Sequence, residues 1–273
     1  MNGCRRFMSC VSAVAWLIVL FPIQLHAELQ TDDNTAAALK VLIAGQQRSE
    51  ADKARDQYRH PLETLTWFGV KDDVTVVEIW PGGGWYTAIL APFLKDKGRY
   101  YGAVFENAQP LKDKLATNPE LYSKVMLTEL IPPAKTDIAP AGSADMVLTF
   151  RNIHNWMGRG YAEEVFTAMH RALKPGGILG VVEHRGNPVV SQDPKAASGY
   201  VNEDYVIKLA EGAGFQLVGR TEINANPKDT KDYPQGVWTL PPVLRLKDVD
   251  QEKYVAIGES DRMTLKFIKP ASK

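Results

Sequence analysis

The sequence predicts an α/β chain: a mostly parallel, seven-stranded sheet with one antiparallel edge strand, preceded by a helical cap. Three observations predict it. β-Branched runs alternate with helix-length segments from Val74 to Gly219, as right-handed crossovers in a parallel sheet require. The first run ends in an acid, Glu78, and then passes through Gly82-Gly83-Gly84 into a helical segment. That order of strand, tight loop and helix brings backbone N–H groups up to a ligand. The last run, Arg262 to Ile268, alternates polar and apolar residues as a final edge strand does.

At the N-terminus, Arg5 and Arg6 precede an apolar run from Val11 to Ile23 that only Ser12 and Pro22 interrupt, and Leu25-His26-Ala27 supplies a small residue for cleavage. This is the layout of a secretory signal peptide over 1–27, with an uncleaved anchor as the alternative. The run is short for a membrane span. A periplasmic or secreted mature chain is expected. Both cysteines, Cys4 and Cys10, lie inside the segment, so the mature chain would lack disulfides, a thiol nucleophile and cysteine-bound zinc. Lys plus Arg and Asp plus Glu balance at 32 each. Removing 1–27 takes two arginines and no acids, leaving 30 against 32 and a net charge of −2. No basic excess points to nucleic acid, and a small-molecule substrate is expected.

Residues 28–70 read as the helical cap. Ala36 to Ile43 is largely apolar, Arg48 to Arg59 is charged, and Leu62, Leu65, Trp67 and Phe68 follow Pro61. Asp56, Arg59 and His60 fall within one turn. Residues 71–273 form the main domain. After the glycines come a helix over Tyr86–Leu94, a strand over Arg99–Phe105 closed by Glu106, a helix over 110–123 and a strand over Lys124–Leu130. A Pro- and Ala-rich loop leads to a strand over Asp145–Phe150. A helix over Tyr161–Leu173 is stopped by Lys174-Pro-Gly-Gly177, and a fifth strand covers Ile178–Glu183. A helix over Glu203–Ala213 and a sixth strand over Phe215–Gly219 follow. Residues 221–262, rich in Pro, Asp, Lys and aromatics, break the rhythm and read as an insertion that covers a pocket.

Three segments in this order carry a resemblance: Glu78-Ile-Trp-Pro-Gly-Gly-Gly84, Asp145-Met-Val-Leu-Thr-Phe-Arg-Asn-Ile-His-Asn-Trp156 and Ala172-Leu-Lys-Pro-Gly-Gly-Ile-Leu-Gly-Val-Val-Glu183. The chain resembles class I S-adenosylmethionine-dependent methyltransferases, and among them bacterial exported chains with a Trp-Pro-Gly-Gly-Gly turn. The resemblance implies a Rossmann-like fold with S-adenosyl-L-methionine as methyl-donor cosubstrate. It implies that Glu78 lies near the donor's amino group and that Gly82 and Gly84 permit close backbone approach. Glu106 is the nearest match to the acid that holds the ribose, although Val104 occupies the usual place. Glu129 is the candidate for the adenine amino group. Trp80 replaces the first glycine of the pattern, either narrowing the pocket or walling it. Tyr86, beside Trp85, either stacks on the ligand or packs against the cap.

For catalysis, Asn152 and His154 follow the fourth strand, at the sheet edge where ligands bind. His154 is a candidate general base; its bland alternative is a helix cap. His184, within Glu183-His184-Arg185, is either catalytic or part of a structural ion-pair cluster. The spacing of His60, His154 and His184 requires no metal, and none is expected. The expected activity is methyl transfer to a small substrate. The alternative is a non-catalytic extracytoplasmic binding protein on the same fold, since the donor is made in the cytosol. Aminopropyl transfer lacks the acidic signature it would need.

Overall fold

The computed structural model describes Met1 and residues 33–271; the signal peptide expected at 1–27 lies outside the described residues beyond Met1. Four helices open the described chain: α1 (Asp33–Ala44), α2 (Glu50–Lys53), α3 (Asp56–Arg59) and α4 (Pro61–Phe68). Pro61 stands at the first position of α4, where its missing N–H costs nothing. Then follow β1 (Thr75–Ile79), α5 (Thr87–Leu94), β2 (Arg99–Val104), α6 (Gln109–Thr117), β3 (Val125–Glu129) and β4 (Ala144–Phe150). The chain continues with α7 (Ile153–Arg159), α8 (Ala162–Ala172), β5 (Leu173–His184), α9 (Glu203–Gly212), β6 (Gln216–Thr221), α10 (Gln251–Ile257) and β7 (Arg262–Ile268).

The seven strands form one sheet in the order β3-β2-β1-β4-β5-β7-β6. Only β7 runs antiparallel, pairing with β5 on one side and β6 on the other. The outermost strand is therefore β6, not β7. The alternation in Arg262–Ile268 suggested an edge, but two of its three polar positions are buried as well: Arg262 is 2% exposed and Thr264 1%. β5 also begins earlier than expected. α8 does stop before Lys174-Pro-Gly-Gly177, at Ala172, and the segment is at the same time the irregular start of the strand, tied by Gly176 N–H to Lys269 O at 2.7 Å and Lys269 N–H to Gly177 O at 2.9 Å.

Central β1 is buried from Val76 to Ile79, as a parallel strand covered on both faces must be. One face carries α5, apolar around its whole circumference because it is sandwiched between the sheet and α1, which α4 in turn supports. Leu39, Leu65, Phe68, Ile89, Leu90 and Leu148 meet in that layer. The other face carries α7, α8 and α9 through Trp156, Phe166, Met169, Val206 and Ala210. Strand order reverses between β1 and β4, so the crevice outside their carboxyl ends is where this architecture places a ligand.

The segment between β6 and β7 is ordered by polar contacts rather than by an apolar core. Asn224 Nδ2 donates to Thr64 Oγ1 and Thr264 Oγ1, each at 3.0 Å, and Asp229 accepts from Tyr200 OH at 2.8 Å and Asp261 N–H at 2.7 Å.

The layer beneath α4 sets a sharp steric limit at Gly180 in β5. A Cβ there would lie 2.6 Å from Leu148 Cδ2 and 2.9 Å from the Phe68 ring. Gly180→Ala is expected to lower stability by about 1–3 kcal/mol through overpacking, read as a reduced urea midpoint at unchanged slope. An unchanged midpoint would contradict this packing.

Candidate functional site

At the reversal point, β1 runs into a turn whose backbone is left-handed three times: Trp80 at φ 45°, Gly82 at 59° and Gly84 at 81°. For glycine this is free; for tryptophan it costs on the order of 1–2 kcal/mol. The surroundings hold Trp80 there. Its N–H donates to Ala103 O at 2.8 Å and its indole Nε1 to Leu130 O at 3.1 Å. Its ring packs against Phe105, Trp156 and Tyr161 at centroid distances of 4.6, 6.1 and 6.4 Å. The tryptophan holds a backbone shape that glycine adopts freely and turns its side chain into a wall.

Two cavities meet at this turn and share Trp80, Pro81, Gly82 and Asn152. The first, of about 310 Å³, also takes in Glu78, Gly83, Tyr86, Arg55, Arg59 and Arg151. The second, of about 230 Å³, is walled by Val104, Phe105, Ala108 and Pro110 and is mostly apolar. A Cβ on Gly82 or Gly83 would meet no atom within 4 Å, so both open onto space. Gly84 differs. A Cβ there would lie 2.8 Å from Leu111 and 2.9 Å from Lys114, and it lines neither cavity, so its role is to let α6 pack on the turn.

Glu78 is buried, yet it lines the first cavity. Its Oε2 accepts from Tyr100 OH at 2.6 Å and Thr87 Oγ1 at 3.0 Å, while no described residue donates to Oε1. Burial pushes its pKa up to about 7, against the opposing pull of the two hydroxyls and of Arg151. Such a carboxylate suits a cationic amino group that restores its charge. Asn152 clamps the turn to β4: its Nδ2 donates to Ile79 O at 2.8 Å and lies 3.4 Å from Trp80 O. Tyr86 lines the cavity too, but one ring face is stacked on Phe150 at 3.6 Å.

The other acids expected at the ligand stand elsewhere. β2 ends at Val104, so Glu106 falls beyond it on an exposed turn, and Phe105 becomes the wall. Glu129 is bonded to Lys135 at 2.6 Å on the surface. Neither lines either cavity.

His154 and His184 form a separate cluster around buried Glu183. His154 Nδ1 lies 3.0 Å from Glu183 Oε1, and the carboxylate also accepts Ile153 N–H at 2.5 Å and His184 N–H at 2.8 Å. A carboxylate partner on Nδ1 leaves Nε2 of His154 as the basic nitrogen. His184 Nδ1 pairs with Ser260 Oγ at 2.5 Å, and burial, with His154 beside it, drives its pKa well below the usual value. The sequence grouped His60 with these two histidines. The structure puts Glu183 there instead, with one ligand-type atom of each residue within 4.8 Å of the others. Ile153 N–H, His184 N–H and His154 Nδ1 surround the carboxylate as a hydrogen-bond network. Neither histidine lines the two cavities at the turn.

Sequence reasoning missed the arginines. Arg55 and Arg59 come from the cap and Arg151 from the end of β4, where it too is left-handed at φ 60°. Arg59 was grouped with Asp56, but Asp56 pairs with Arg48 at 2.5 Å, and Arg59 with Glu259, 200 residues away, at 3.3 Å. The one hint was Arg151 next to Asn152 at the strand end.

No protein-family model and no curated protein matches this sequence. Solved structures do. A SAM-dependent methyltransferase from Aquifex aeolicus aligns with a TM-score of 0.54 at 15% identity, over 86% of this chain and 98% of its own. The Haemonchus contortus phosphoethanolamine N-methyltransferase 2, solved with S-adenosyl-L-methionine, aligns at 0.50 and 15% identity, over 86% of this chain and 60% of that one. The [4+2]-cyclase SpnF aligns at 0.51 and 16% identity, over 84% and 86%. At these identities the likeness is one of architecture. The chain has the Rossmann-like α/β fold of class I SAM-dependent methyltransferases.

Proposed function

We propose that the protein is an S-adenosylmethionine-dependent methyltransferase acting on a small substrate outside the cytoplasm. The observation that carries this reading is the turn after β1. A buried carboxylate with an open oxygen, Glu78, stands beside a backbone bared at Gly82 and Gly83, at the reversal point of the sheet. The residues fit the donor. Glu78 would hold its ammonium group, the Gly82-Gly83 backbone its methionine chain, and Trp80, Phe105 and Pro110 its apolar ring. Bound S-adenosyl-L-methionine supplies an activated methyl group and leaves as S-adenosylhomocysteine.

The protein's own contribution is position. Asn152 fixes the turn against β4, and Glu78 anchors one end of the donor, so an acceptor seated in the first cavity meets it in one orientation. His154, oriented by Glu183, stands outside this cavity and carries no step in this reading.

Calorimetric titration of the mature protein with S-adenosylhomocysteine tests the reading. Saturable binding is expected, weakening roughly tenfold from about pH 7.5 to about pH 5.5 as Glu78 takes up a proton. Glu78→Gln should remove that pH dependence together with most of the affinity. It should also stabilise the ligand-free protein. A carboxyl whose pKa is raised on folding keeps a proton that the unfolded chain gives up, so stability falls as pH rises from about 4.5 to about 7. The variant escapes that loss, on the order of 3 kcal/mol above pH 7. Failure of the wild type to bind would overturn the proposal.

Export rests on Arg5, Arg6 and the Val11–Ile23 run. Residues 1–30 fused to a reporter active only after translocation should give signal; a silent, cytosolic fusion would contradict export.

A further inference from the structure

The first cavity carries more positive charge than a methyl donor could offset. Arg55, Arg59 and Arg151 line it, and Arg262 stands directly behind. A single acid, Glu259, serves three of these guanidinium groups: Arg55 at 2.5 Å, Arg59 at 3.3 Å and Arg262 in close contact. The fourth, Arg151, has no ion pair or side-chain hydrogen bond among the described residues. Burial and the proximity of Arg262 lower its pKa to about 10, so the site costs free energy to charge, yet the group is still cationic near neutrality. Asp52, also in the lining, is set against Lys114 at 3.4 Å. Four guanidinium groups thus face Glu259 and, when it is ionised, Glu78.

Bound S-adenosylmethionine does not correct this imbalance. Its ammonium and carboxylate cancel, and its sulfonium adds one positive charge. Buried cations without partners are costly, and a planar guanidinium is matched by carboxylate or phosphate oxygens. The arginines are also held in place. Arg59, 3% exposed, lies over the Trp85 ring at 4.7 Å, and Arg151 is fixed by its left-handed backbone and by its N–H to Val182 O at 2.7 Å. A preformed cationic wall of this kind binds an anion without first having to order itself.

Building on the donor site proposed above, we propose that Arg55, Arg59 and Arg151 bind the anionic group, carboxylate or phosphate, of the methyl-acceptor substrate. The acceptor is then a small acid. The cap and the segment before β7 select it, because Arg55 and Arg59 come from the one and Glu259 from the other.

The test titrates inorganic phosphate and malonate into the mature protein at constant ionic strength, with and without saturating S-adenosylhomocysteine, by calorimetry and by tryptophan fluorescence, which Trp85 in the cavity should report. Saturable binding of at least one anion is expected in both conditions. Arg151→Met should weaken it about tenfold or more and, at about pH 8.5 where Glu78 stays ionised, leave the affinity for S-adenosylhomocysteine unchanged. Arg55→Met serves the same purpose if Arg151→Met does not fold, and Arg220→Met, on the exposed edge strand, should change nothing. Saturable anion binding with S-adenosylhomocysteine silent would support the anion site and overturn the donor assignment. Two results would overturn the acceptor site. One is no saturable binding of either anion, or equal binding in Arg151→Met. The other is anions that displace S-adenosylhomocysteine while Arg151→Met weakens it, since the arginines would then hold the donor's own carboxylate.

Discussion

A carboxylate sealed at the carboxyl end of a central strand is a constraint that the surrounding structure has to satisfy. Glu78 sits where β1 stops and the turn begins, with Tyr100 from β2 and Thr87 from α5 both donating to one of its oxygens. Those bonds join the strand, its neighbour and the following helix at one point. They offset only part of the cost of burial, which is why the acid titrates near neutrality. An arrangement that gives up stability in the empty state and regains it when a cation binds is what a ligand anchor requires. The left-handed backbone of Trp80 belongs to the same economy of strain, held by Ala103, Leu130 and an aromatic cluster.

Around that anchor, the parts of the chain furthest apart in sequence converge. The cap brings Arg55 and Arg59 over the carboxyl edge, and the segment before β7 brings Glu259 and Arg262 to meet them. Neither is decoration on the sheet. Without the cap the cavity would lose one wall; without Glu259 three arginines would be left with no acid between them. Because these charges are buried, their interaction is strong and poorly screened by salt.

The sheet could be read from the sequence because its central strands are buried on both faces, and such strands announce themselves as β-branched runs. The turn was readable because consecutive glycines directly after a strand leave its backbone bare, and Glu78 because an acid at the end of a β-branched run is unusual. Local spacing misled where burial was decided by tertiary neighbours. The polar residues of β7 looked solvent-facing, but Arg262 and Thr264 are covered from both sides. Glu106 looked like a ribose acid displaced by two positions; β2 simply ends before reaching it. The arginine wall was hidden for a different reason. Its meaning lies in the pairing of Arg55 and Arg59 with Glu259 across some 200 residues, which no local pattern encodes. Gly84 shows the reverse case, a glycine of the motif that serves packing against Leu111 rather than a ligand.

The central claim is that Glu78 anchors the amino group of an adenosylmethionine-type ligand. A crystal structure of the mature protein grown with S-adenosylhomocysteine tests it directly. The account predicts density for the ligand along Gly82-Gly83, with its amino nitrogen within hydrogen-bonding distance of the Glu78 carboxylate and its adenine against Trp80 and Phe105. Ligand density elsewhere, or in this cavity with the amino group turned away from Glu78, would contradict it.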